Sequence, residues 1–413
     1  MNDEREFGFA TRALHAGTPP DPATGSRVVP IYQTAAYVFG STEQAAELFA
    51  LRGYGHIYSR ISNPTVAAFE ERMASLERGL GAIAFSSGLA AQLCTVLSLA
   101  QAGDHIVCTQ NVYGGTVTQL TVTIKRMGIE TTFVPVDDIA AMRDAIRSET
   151  KLLFVETIGN PSGTVANLRA AAELAHAAGI PLVVDNTFAT PYFCRPIEQG
   201  ADVVVHSATK FINGHGTSIG GVLVESGKFP WSNGRFPLLS EPSPGYHQKV
   251  FTETFGEYAF LMRARAEVLR DVGAAMAPFD AWLLLLGLET LPLRMERHVA
   301  NAREVVAFLK ARPEVAWVRE PQMGSIFTIG LRSGREGARR FIDALELWSH
   351  LANVGDSKSL VIHPASTTHS QLSDEELRRA GVEPESVRLS VGLEDVADLL
   401  WDLGNALDAG GAG

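Results

Sequence analysis

Short apolar runs alternate with amphipathic segments from about residue 80 to residue 224. The runs are rich in Val, Ile and Leu and end at Gly, Ser, Thr or Asp, which is typical of strands that are buried on both faces of a sheet. The segments between them have helical spacing. This alternation predicts an α/β fold, with a mostly parallel central sheet and helices on both of its faces. The predicted strands are 83–85, 106–109, 131–134, 152–155, 181–185, 202–205 and 221–224.

The pattern changes on both sides of this region. Residues 1–60 are rich in Pro, Gly and Thr and predict an irregular N-terminal arm with one helix at 42–51. Beyond the sheet, the spacing predicts helices at 258–276, 279–286 and 293–311, followed by a more compact alternation of strands and helices. We therefore expect three parts: an arm at 1–60, a large α/β domain at 61–290 and a smaller α+β C-terminal domain at 291–413.

Polar residues cluster where the predicted strands end. Ser87-Gly88-Leu89 follows one strand and opens a helix, and Asn160, Asp185 and Lys210 follow or end others. In parallel sheets the ligand crevice lies at the carboxyl ends of the strands, so these residues are expected to converge. A Ser-Gly turn that starts a helix also presents free backbone N–H groups, which can bind an anion.

Lys210 is the candidate reactive group. It follows the apolar run 202–205, with Ser207 and Thr209 before it and several glycines after it. A desolvated lysine has a lowered pKa and attacks aldehydes, while hydroxyls and exposed backbone amides suit a phosphate. Pyridoxal phosphate is an aldehyde that carries its own phosphate. A single lysine is more often a solvated loop residue, so this interpretation depends on the neighbouring groups.

Two other motif matches occur in the same stretch. Ser207-Ala-Thr-Lys210 fits the S-x-x-K of penicillin-binding enzymes, and Gly216-Thr-Ser218-Ile-Gly220 fits the nucleophile elbow of serine hydrolases. The first match lacks a Lys-Thr-Gly partner in the chain. The second lacks the preceding strand and the following helix that an elbow requires. Both matches are interpreted as coincidental.

Asp185, Tyr58 and Arg60 each have two interpretations. A carboxylate that ends an apolar strand is costly to bury without a cation, and the pyridinium nitrogen of pyridoxal phosphate would be such a cation. Asp185 could instead cap a helix, but Lys210 downstream favours the cofactor. Tyr58 and Arg60 lie just upstream of a helix predicted to begin after Asn63. Taken alone, they are typical of a surface aromatic and a solvated charge.

Composition narrows the possible function classes. Of 413 residues, 46% are hydrophobic and 20% charged, and the formal net charge is -11. Because no basic run offsets this charge, a nucleic-acid partner is not expected. Cys94, Cys108 and Cys194 are widely spaced and fit no metal motif, so they predict core thiols in a reducing compartment and no metal. The polar start and the absence of a long apolar run predict a cytoplasmic protein without membrane contact.

Five motifs together resemble the pyridoxal-phosphate enzymes of cysteine and methionine metabolism, and the resemblance extends from Arg12 to about Leu407. They are Tyr58-Ser-Arg60-Ile-Ser-Asn-Pro-Thr, Ser87-Gly88-Leu89, Tyr113-Gly-Gly-Thr, Val-Asp185-Asn-Thr and His-Ser-Ala-Thr-Lys210-Phe. The loop 227–248 and the runs 287–298 and 353–369 are most similar to the O-acetylhomoserine sulfhydrylase branch. The resemblance implies the fold-type I architecture of these enzymes.

The resemblance also implies a role for each matched residue. Lys210 would bind the cofactor as an imine and then move the Cα and Cβ protons of the substrate. Tyr113 would stack on the cofactor ring and assist departure of the γ-substituent, and Asp185 would pair with the pyridine nitrogen. Tyr58 and Arg60 would reach the phosphate bound by a neighbouring subunit. The other implied assignments are Ser87, Gly88, Leu89, Thr187, Ser207 and Thr209 for the cofactor, and Asn160, Ser359 and Arg388 for the substrate carboxylate.

The implied activity is a γ-replacement in which O-acetyl-L-homoserine and sulfide or methanethiol give L-homocysteine or L-methionine and acetate. The implied assembly is a dimer of subunits that share active sites, paired into a tetramer. Alternatives are a γ-lyase, an O-succinylhomoserine-using sulfhydrylase or cystathionine γ-synthase and, in other classes, a serine hydrolase or a non-catalytic binding relative. Similar γ-lyases usually carry a cysteine where Gly115 stands, which favours replacement. Residues 318–325 form a shorter segment than most family members have, which leaves the packing of the C-terminal domain open.

Overall fold

Seven strands form the central sheet of the structure, a computed structural model that describes residues 5–160, 163–367, 375, 377 and 382–411. The strands are β1 Gly81–Phe85, β2 His105–Thr109, β3 Glu130–Val134, β4 Thr150–Glu156, β5 Leu182–Asp185, β6 Val203–Ser207 and β7 Gly221–Glu225. Their order is β1-β7-β6-β5-β4-β2-β3. The pairs among β2 to β6 are parallel, and β7 is antiparallel to both β1 and β6. The predicted mostly parallel sheet is confirmed.

Helices cover both faces of this sheet because its strands are apolar on both faces. Successive side chains of a strand point to opposite faces, so Val183 joins one buried cluster while Leu182 and Val184 join the other. The helices before the second sheet are α1 Phe9–His15, α2 Thr42–Phe49, α3 Pro64–Glu77, α4 Gly88–Leu99, α5 Gly114–Thr118, α6 Ile139–Ala145, α7 Leu168–Ala177, α8 Thr190–Phe193, α9 Pro237–Ser240, α10 Phe251–Phe255, α11 Ala259–Arg263, α12 Arg270–Val272 and α13 Pro278–Lys310.

A smaller second sheet follows α13. Its strands are β8 Val315–Arg319, β9 Ile326–Leu331, β10 Ser349–His350, β11 Leu360–Ile362 and β12 Ser386–Ser390, in the order β10-β11-β12-β9-β8. Two helices, α14 Gly334–Asp343 and α15 Val396–Gly411, pack with its buried face around a separate apolar cluster. The predicted α+β arrangement of this smaller part is confirmed.

The helix α13 corrects one prediction. Two helices were expected at 279–286 and 293–311, but the structure has a single helix of 33 residues with Pro292 inside it. Proline removes a backbone donor and glycine lowers helix propensity, so Gly287 and Pro292 locally indicate a break. Both residues are buried in tertiary contacts that keep the helix continuous. The predicted domain limit at 290/291 falls inside α13 and stays a prediction, as does the limit at 60/61.

The three cysteines lie inside the protein and are unpaired. Burial raises the pKa of Cys94 and of Cys194 to about 12, and it raises the pKa of Cys108 well above its ordinary value. These thiols therefore pack as small apolar groups. In the described part of the chain, no helix combines the length and apolar character that crossing a lipid bilayer requires.

Candidate active site

A cavity of about 300 Å³ lies where β4, β5 and β6 end. The strand register explains the convergence, because Glu156 pairs with Asp185 and Asp185 pairs with Val205 on adjacent parallel strands. Residues 352–354 and Arg388 close the cavity from the side of the second sheet. The predicted site residues that line it are Ser87, Gly88, Leu89, Tyr113, Asn160, Asp185, Thr187, Ser207, Thr209, Lys210 and Arg388.

Lys210 projects its amine into this cavity from a tight turn after β6. Its backbone N–H donates to the Ser207 carbonyl at 3.2 Å, and Gly214 N–H donates back to the Lys210 carbonyl at 2.8 Å. The amine donates to Asn353 Oδ1 at 2.5 Å. Burial, reinforced by the positive charge of Arg388, lowers the pKa of Lys210 to about 8. About a tenth of this amine is therefore neutral and nucleophilic at pH 7, far more than for a lysine with an ordinary pKa.

Asp185 ends β5 and faces the same cavity. Its Oδ1 accepts hydrogen bonds from the Thr187 N–H at 2.9 Å and the Thr187 hydroxyl at 2.5 Å. Neither bond uses Oδ2. Burial raises the pKa of Asp185, since a buried carboxylate lacks solvation unless it meets a cation. The alternative interpretation as a helix cap is wrong, because α8 begins at Thr190 with Ala189 as its N-cap.

The start of α4, where an anion cup is predicted, lines the cavity. Ser87 caps the helix by accepting the Ala90 N–H at 3.1 Å, while the first N–H groups of a helix have no partner within it. A Cβ at Gly88 would lie 2.7 Å from Ser207 Cα, so only glycine fits between the helix and β6. Thr209 also lines the cavity, and its hydroxyl accepts the Gly220 N–H at 3.0 Å and donates to the Gly220 carbonyl at 3.2 Å. Backbone amides and hydroxyls thus surround one small space that suits a phosphate.

Glu156 is a site residue that the sequence analysis missed. It ends β4 as Asp185 ends β5, is buried, and accepts the backbone N–H of Tyr113 at 2.6 Å. Burial, together with the nearby charge of Asp185, raises its pKa well above the ordinary value. Its position at the end of an apolar strand was the signal that could have identified it. The hydrogen bond fixes the loop from which the half-exposed Tyr113 ring reaches the cavity.

Arg388 extends from β12 into the opposite wall of the cavity. It donates to Asn160 Oδ1 at 3.2 Å and to the Asn353 carbonyl at 3.4 Å. Burial lowers its pKa to about 10, so the guanidinium stays charged at neutral pH. Asn353, a second missed residue, therefore contacts both Lys210 and Arg388. It opens the run 353–359 from which only Ser359 was chosen.

Ser359 does not reach the cavity, which corrects its placement beside Arg388. The side chain is buried, and its hydroxyl donates to Glu394 Oε2 at 2.9 Å and accepts the Gly392 N–H at 2.8 Å. These two partners hold the loop before β11. The hydroxyl is therefore committed to the protein, and Asn353 takes the place beside Arg388 that was predicted for Ser359.

Tyr58 and Arg60 also lie outside the cavity. Both are exposed, with the Arg60 guanidinium 5.1 Å from the Tyr58 ring centre and hydrogen-bonded to the Arg270 carbonyl at 2.7 Å. Within one chain they do not meet the anion cup. Their predicted role toward a neighbouring subunit's phosphate stays a prediction.

Ser218 lacks the setting of a hydrolytic nucleophile. It is buried, its hydroxyl donates to Asp280 Oδ1 at 2.6 Å, and the next element is β7 rather than a helix. No histidine is among the described residues that line the cavity. The geometry thus supports the interpretation of this motif as a coincidence.

Comparison with known proteins identifies the family. The sequence profile described as Cys/Met metabolism PLP-dependent enzyme matches residues 10–408. The chain belongs to this family. An O-acetyl-L-homoserine sulfhydrylase of Thermus thermophilus is 52% identical, covering 97% of this chain and 99% of the relative. A homocysteine synthase of Schizosaccharomyces pombe is 49% identical, covering 97% and 98%.

A solved structure extends the similarity of this PLP-dependent enzyme to three dimensions. It is a putative O-acetylhomoserine (thiol)-lyase from Campylobacter jejuni, and it superposes with a TM-score of 0.94 at 38% identity. The alignment covers 97% of this chain and all of the other. That protein carries an N'-pyridoxyl-lysine-5'-monophosphate residue.

The cavity fits pyridoxal phosphate, the cofactor of this PLP-dependent family. Lys210 offers an amine with a lowered pKa, and Asp185 offers a buried carboxylate oxygen that its hydrogen bonds to Thr187 leave unused. The amides of Gly88 and Leu89, with the hydroxyls of Ser207 and Thr209, would hold the phosphate. The amine, the acid and the anion cup thus match the aldehyde, the ring nitrogen and the phosphate of one molecule.

Proposed function

We propose that this enzyme catalyses a γ-replacement in which O-acetyl-L-homoserine and the hydrosulfide ion give L-homocysteine and acetate. The observation that carries the proposal is that one cavity contains Lys210, Asp185 and Arg388. The names of the relatives, a sulfhydrylase and a homocysteine synthase, support the choice of acyl donor and sulfur nucleophile. A cytoplasmic location belongs to the same proposal, because three unpaired cysteines suit a reducing compartment.

Pyridoxal phosphate, when bound, supplies an electron sink that makes the Cα and Cβ protons of an amino acid removable. The neutral amine of Lys210 would accept these protons and return them, as a general base and acid whose pKa of about 8 suits neutral solution. Asp185 would hold a proton on the ring nitrogen through its negative charge. In the overall reaction the Cγ–O bond breaks, acetate leaves with the electron pair, and sulfur forms a bond to Cγ.

Arg388 would bind the α-carboxylate of the substrate. Its guanidinium is buried at the cavity wall, and Asn160 and Asn353 fix its orientation. A guanidinium can donate two parallel hydrogen bonds to a carboxylate, which fixes both the position and the angle of the amino acid. The Cα proton would then lie on the side of Lys210, whose amine contacts the same Asn353.

Tyr113 would stand next to the departing γ-substituent. A Cβ at Gly115 would lie 2.4 Å from Tyr113 Cε1, so a cysteine at position 115 would clash with the Tyr113 ring. Glycine at 115 therefore permits this ring position, which supports replacement over the γ-lyase alternative. Residues 318–325, the short segment, do not line the cavity.

A parallel assay of acyl donors tests the proposed function. O-acetyl- and O-succinyl-L-homoserine are each incubated with sulfide, methanethiol, cysteine or no thiol, and products are separated by chromatography. We expect homocysteine from the acetyl donor and sulfide, with kcat/KM about tenfold or more above that of the succinyl donor, because burying the additional carboxylate of a succinyl group is costly unless a cation meets it. Oxo acid and ammonia as main products in the presence of sulfide would identify a γ-lyase instead.

We further propose that two subunits share each active site and that two such dimers form a tetramer. The arm exposes Tyr58 and Arg60, together with Val38 at 99% and Tyr54 at 94% exposure. Apolar side chains this exposed are costly in water and suit a contact with another copy of the chain. Arg60 of one subunit would then supply positive charge to the phosphate bound by the other.

Mixing two inactive variants tests this sharing. Lys210→Ala and Arg60→Ala subunits should recover roughly a quarter of wild-type activity, because half of randomly mixed dimers are heterodimers with one intact site. A mixture of Lys210→Ala and Asp185→Ala is the matched control and should stay inactive, since both residues line one subunit's cavity. If tagged chains prove that subunits exchange and no activity returns, Arg60 does not act across the interface.

A further inference from the structure

Three polar side chains form a buried stripe on one face of α13, and no catalytic role accounts for them. They are Arg294, His298 and Asn301, which are at most 5% exposed. Their spacing of four and three places them on one side of the helix. We call them the α13 stripe. Buried polar groups are costly unless they are bonded, so the partners of the stripe show what it holds in place.

The first end of the stripe holds the turn that carries Lys210. The Arg294 guanidinium spreads its hydrogen bonds over the backbone next to this turn and over its own helix. The acceptors are the carbonyl oxygens of Phe211 at 2.8 Å, Ile212 at 3.5 Å and Gly287 at 2.7 Å and the hydroxyl of Thr290 at 3.1 Å. Because Phe211 directly follows Lys210, Arg294 fixes the backbone from which the reactive amine projects.

Close packing leaves the turn little freedom to move away from Arg294. A Cβ at Gly214 would lie 2.0 Å from Arg294 Nη1, and the φ of +71° at Gly214 favours glycine. The Gly214 N–H closes the turn on the Lys210 carbonyl at 2.8 Å. Residues 210–214 therefore wrap the guanidinium, and a change in its size or donor geometry would displace Lys210.

The other end of the stripe holds the backbone that follows Arg388. His298 Nδ1 lies 2.7 Å from the Val391 carbonyl, which makes this nitrogen the donor. Asn301 donates to the Gly392 carbonyl at 3.1 Å and to the Glu394 carbonyl at 2.8 Å. Val391 and Gly392 continue directly from β12, the strand of Arg388. The His298 ring also packs edge-on against Phe211, with 5.3 Å between ring centres, and so joins the two ends.

We propose that the α13 stripe sets the spacing between the Lys210 amine and the Arg388 guanidinium, with Arg294, His298 and Asn301 as positioning residues. This inference rests on the proposed function, in which these two groups act on one amino acid. Lys210 and Arg388 also meet at Asn353, through its side chain and its carbonyl. Because proton transfer requires close alignment of the amine and the substrate carbon, a small displacement at either end would impair binding or transfer.

Two variants test the two ends of the α13 stripe separately. Arg294→Lys keeps a positive charge, but an ammonium group cannot reproduce the several coplanar N–H donors of a guanidinium. We therefore expect the apo-protein to capture pyridoxal phosphate about tenfold more slowly. Asn301→Ala should leave this capture rate unchanged and weaken binding of L-norleucine to the loaded enzyme about tenfold, because the segment that follows the strand of Arg388 loses two hydrogen bonds. Absorbance follows both processes, and neither requires turnover of O-acetylhomoserine.

Arg303→Met is the matched control, since Arg303 is exposed on the same helix. It should change neither readout. If Arg294→Lys and Asn301→Ala lower only the Tm while both readouts stay at wild-type values, the stripe has a structural role alone and the proposal is wrong. Should Arg294→Lys not fold, Thr290→Val removes one acceptor of the guanidinium, and an unchanged capture rate in that variant would reject the assignment.

Discussion

Lys210→Ala should abolish the visible absorption band of bound pyridoxal phosphate and reduce turnover by about ten-thousandfold or more, the scale seen when a covalent catalytic group is removed. Lys210 is the only lysine among the described residues that line the cavity, so no other amine can replace it there. The measurement is an absorption spectrum after incubation with excess cofactor and dialysis that removes the unbound part, followed by the homocysteine assay.

The pH dependence of cofactor capture gives the same prediction a second test. Because the pKa of Lys210 is lowered to about 8, the neutral amine becomes the major form as pH rises through this value. The rate at which the apo-protein captures the aldehyde should therefore rise across this range and level off above it. Lys228→Ala, at an exposed lysine beyond β7, should match wild type in both experiments. A persistent absorption band in Lys210→Ala would overturn the central assignment.

Asp185→Asn should leave the cofactor bound and reduce kcat by roughly a thousandfold, a scale typical of losing preorganised electrostatic stabilisation. The amide keeps the size of the carboxyl group and an oxygen that can accept from Thr187, but it lacks the negative charge that keeps a proton on the ring nitrogen. The electron sink is then weakened while Lys210 still binds the aldehyde. The band intensity and kcat are measured on the same preparation.

Asp202 offers a matched control for this prediction. It is also a buried carboxylate next to a strand of the central sheet, but it binds His176 and the Leu182 N–H away from the cavity. Asp202→Asn should lower the Tm with little change in kcat. A near-normal kcat in Asp185→Asn would show that the Asp185 charge is not used in the reaction.

Much of the fold and of the site could be predicted from the sequence because strand ends are easy to locate. The apolar runs ending near Asp185 and Ser207 predicted two strands of a mostly parallel sheet, and parallel strands bring their carboxyl ends to one edge. The same logic applied to β4 would have identified Glu156, which lies one residue beyond the predicted strand 152–155. Local pattern was also insufficient for α13, where burial of Gly287 and Pro292 overrides their weak helix propensity.

Loop residues were harder to predict for a physical reason. A loop has no repeating geometry, so spacing does not show which of its side chains faces a cavity. Within the run 353–359, Asn353 points to Lys210 while Ser359 turns to Glu394. The choice is made by contacts of this run with β12 and with the turn after Lys210, and both partners are distant from the run in sequence. The roles of Tyr58 and Arg60 are harder still to predict, because their predicted partner, the cofactor phosphate, is bound by another subunit.

The buried thiols of Cys94, Cys108 and Cys194 have a consequence for sulfur chemistry. Thiol–disulfide exchange and alkylation require the thiolate, which is scarce at neutral pH when burial raises the pKa of Cys94 and Cys194 to about 12. In an enzyme that consumes sulfide, these three thiols would therefore not form mixed disulfides with other sulfur compounds. A maleimide dye would leave the native chain unlabelled, and one cysteine introduced at an exposed position could carry a fluorophore without removal of the natural three.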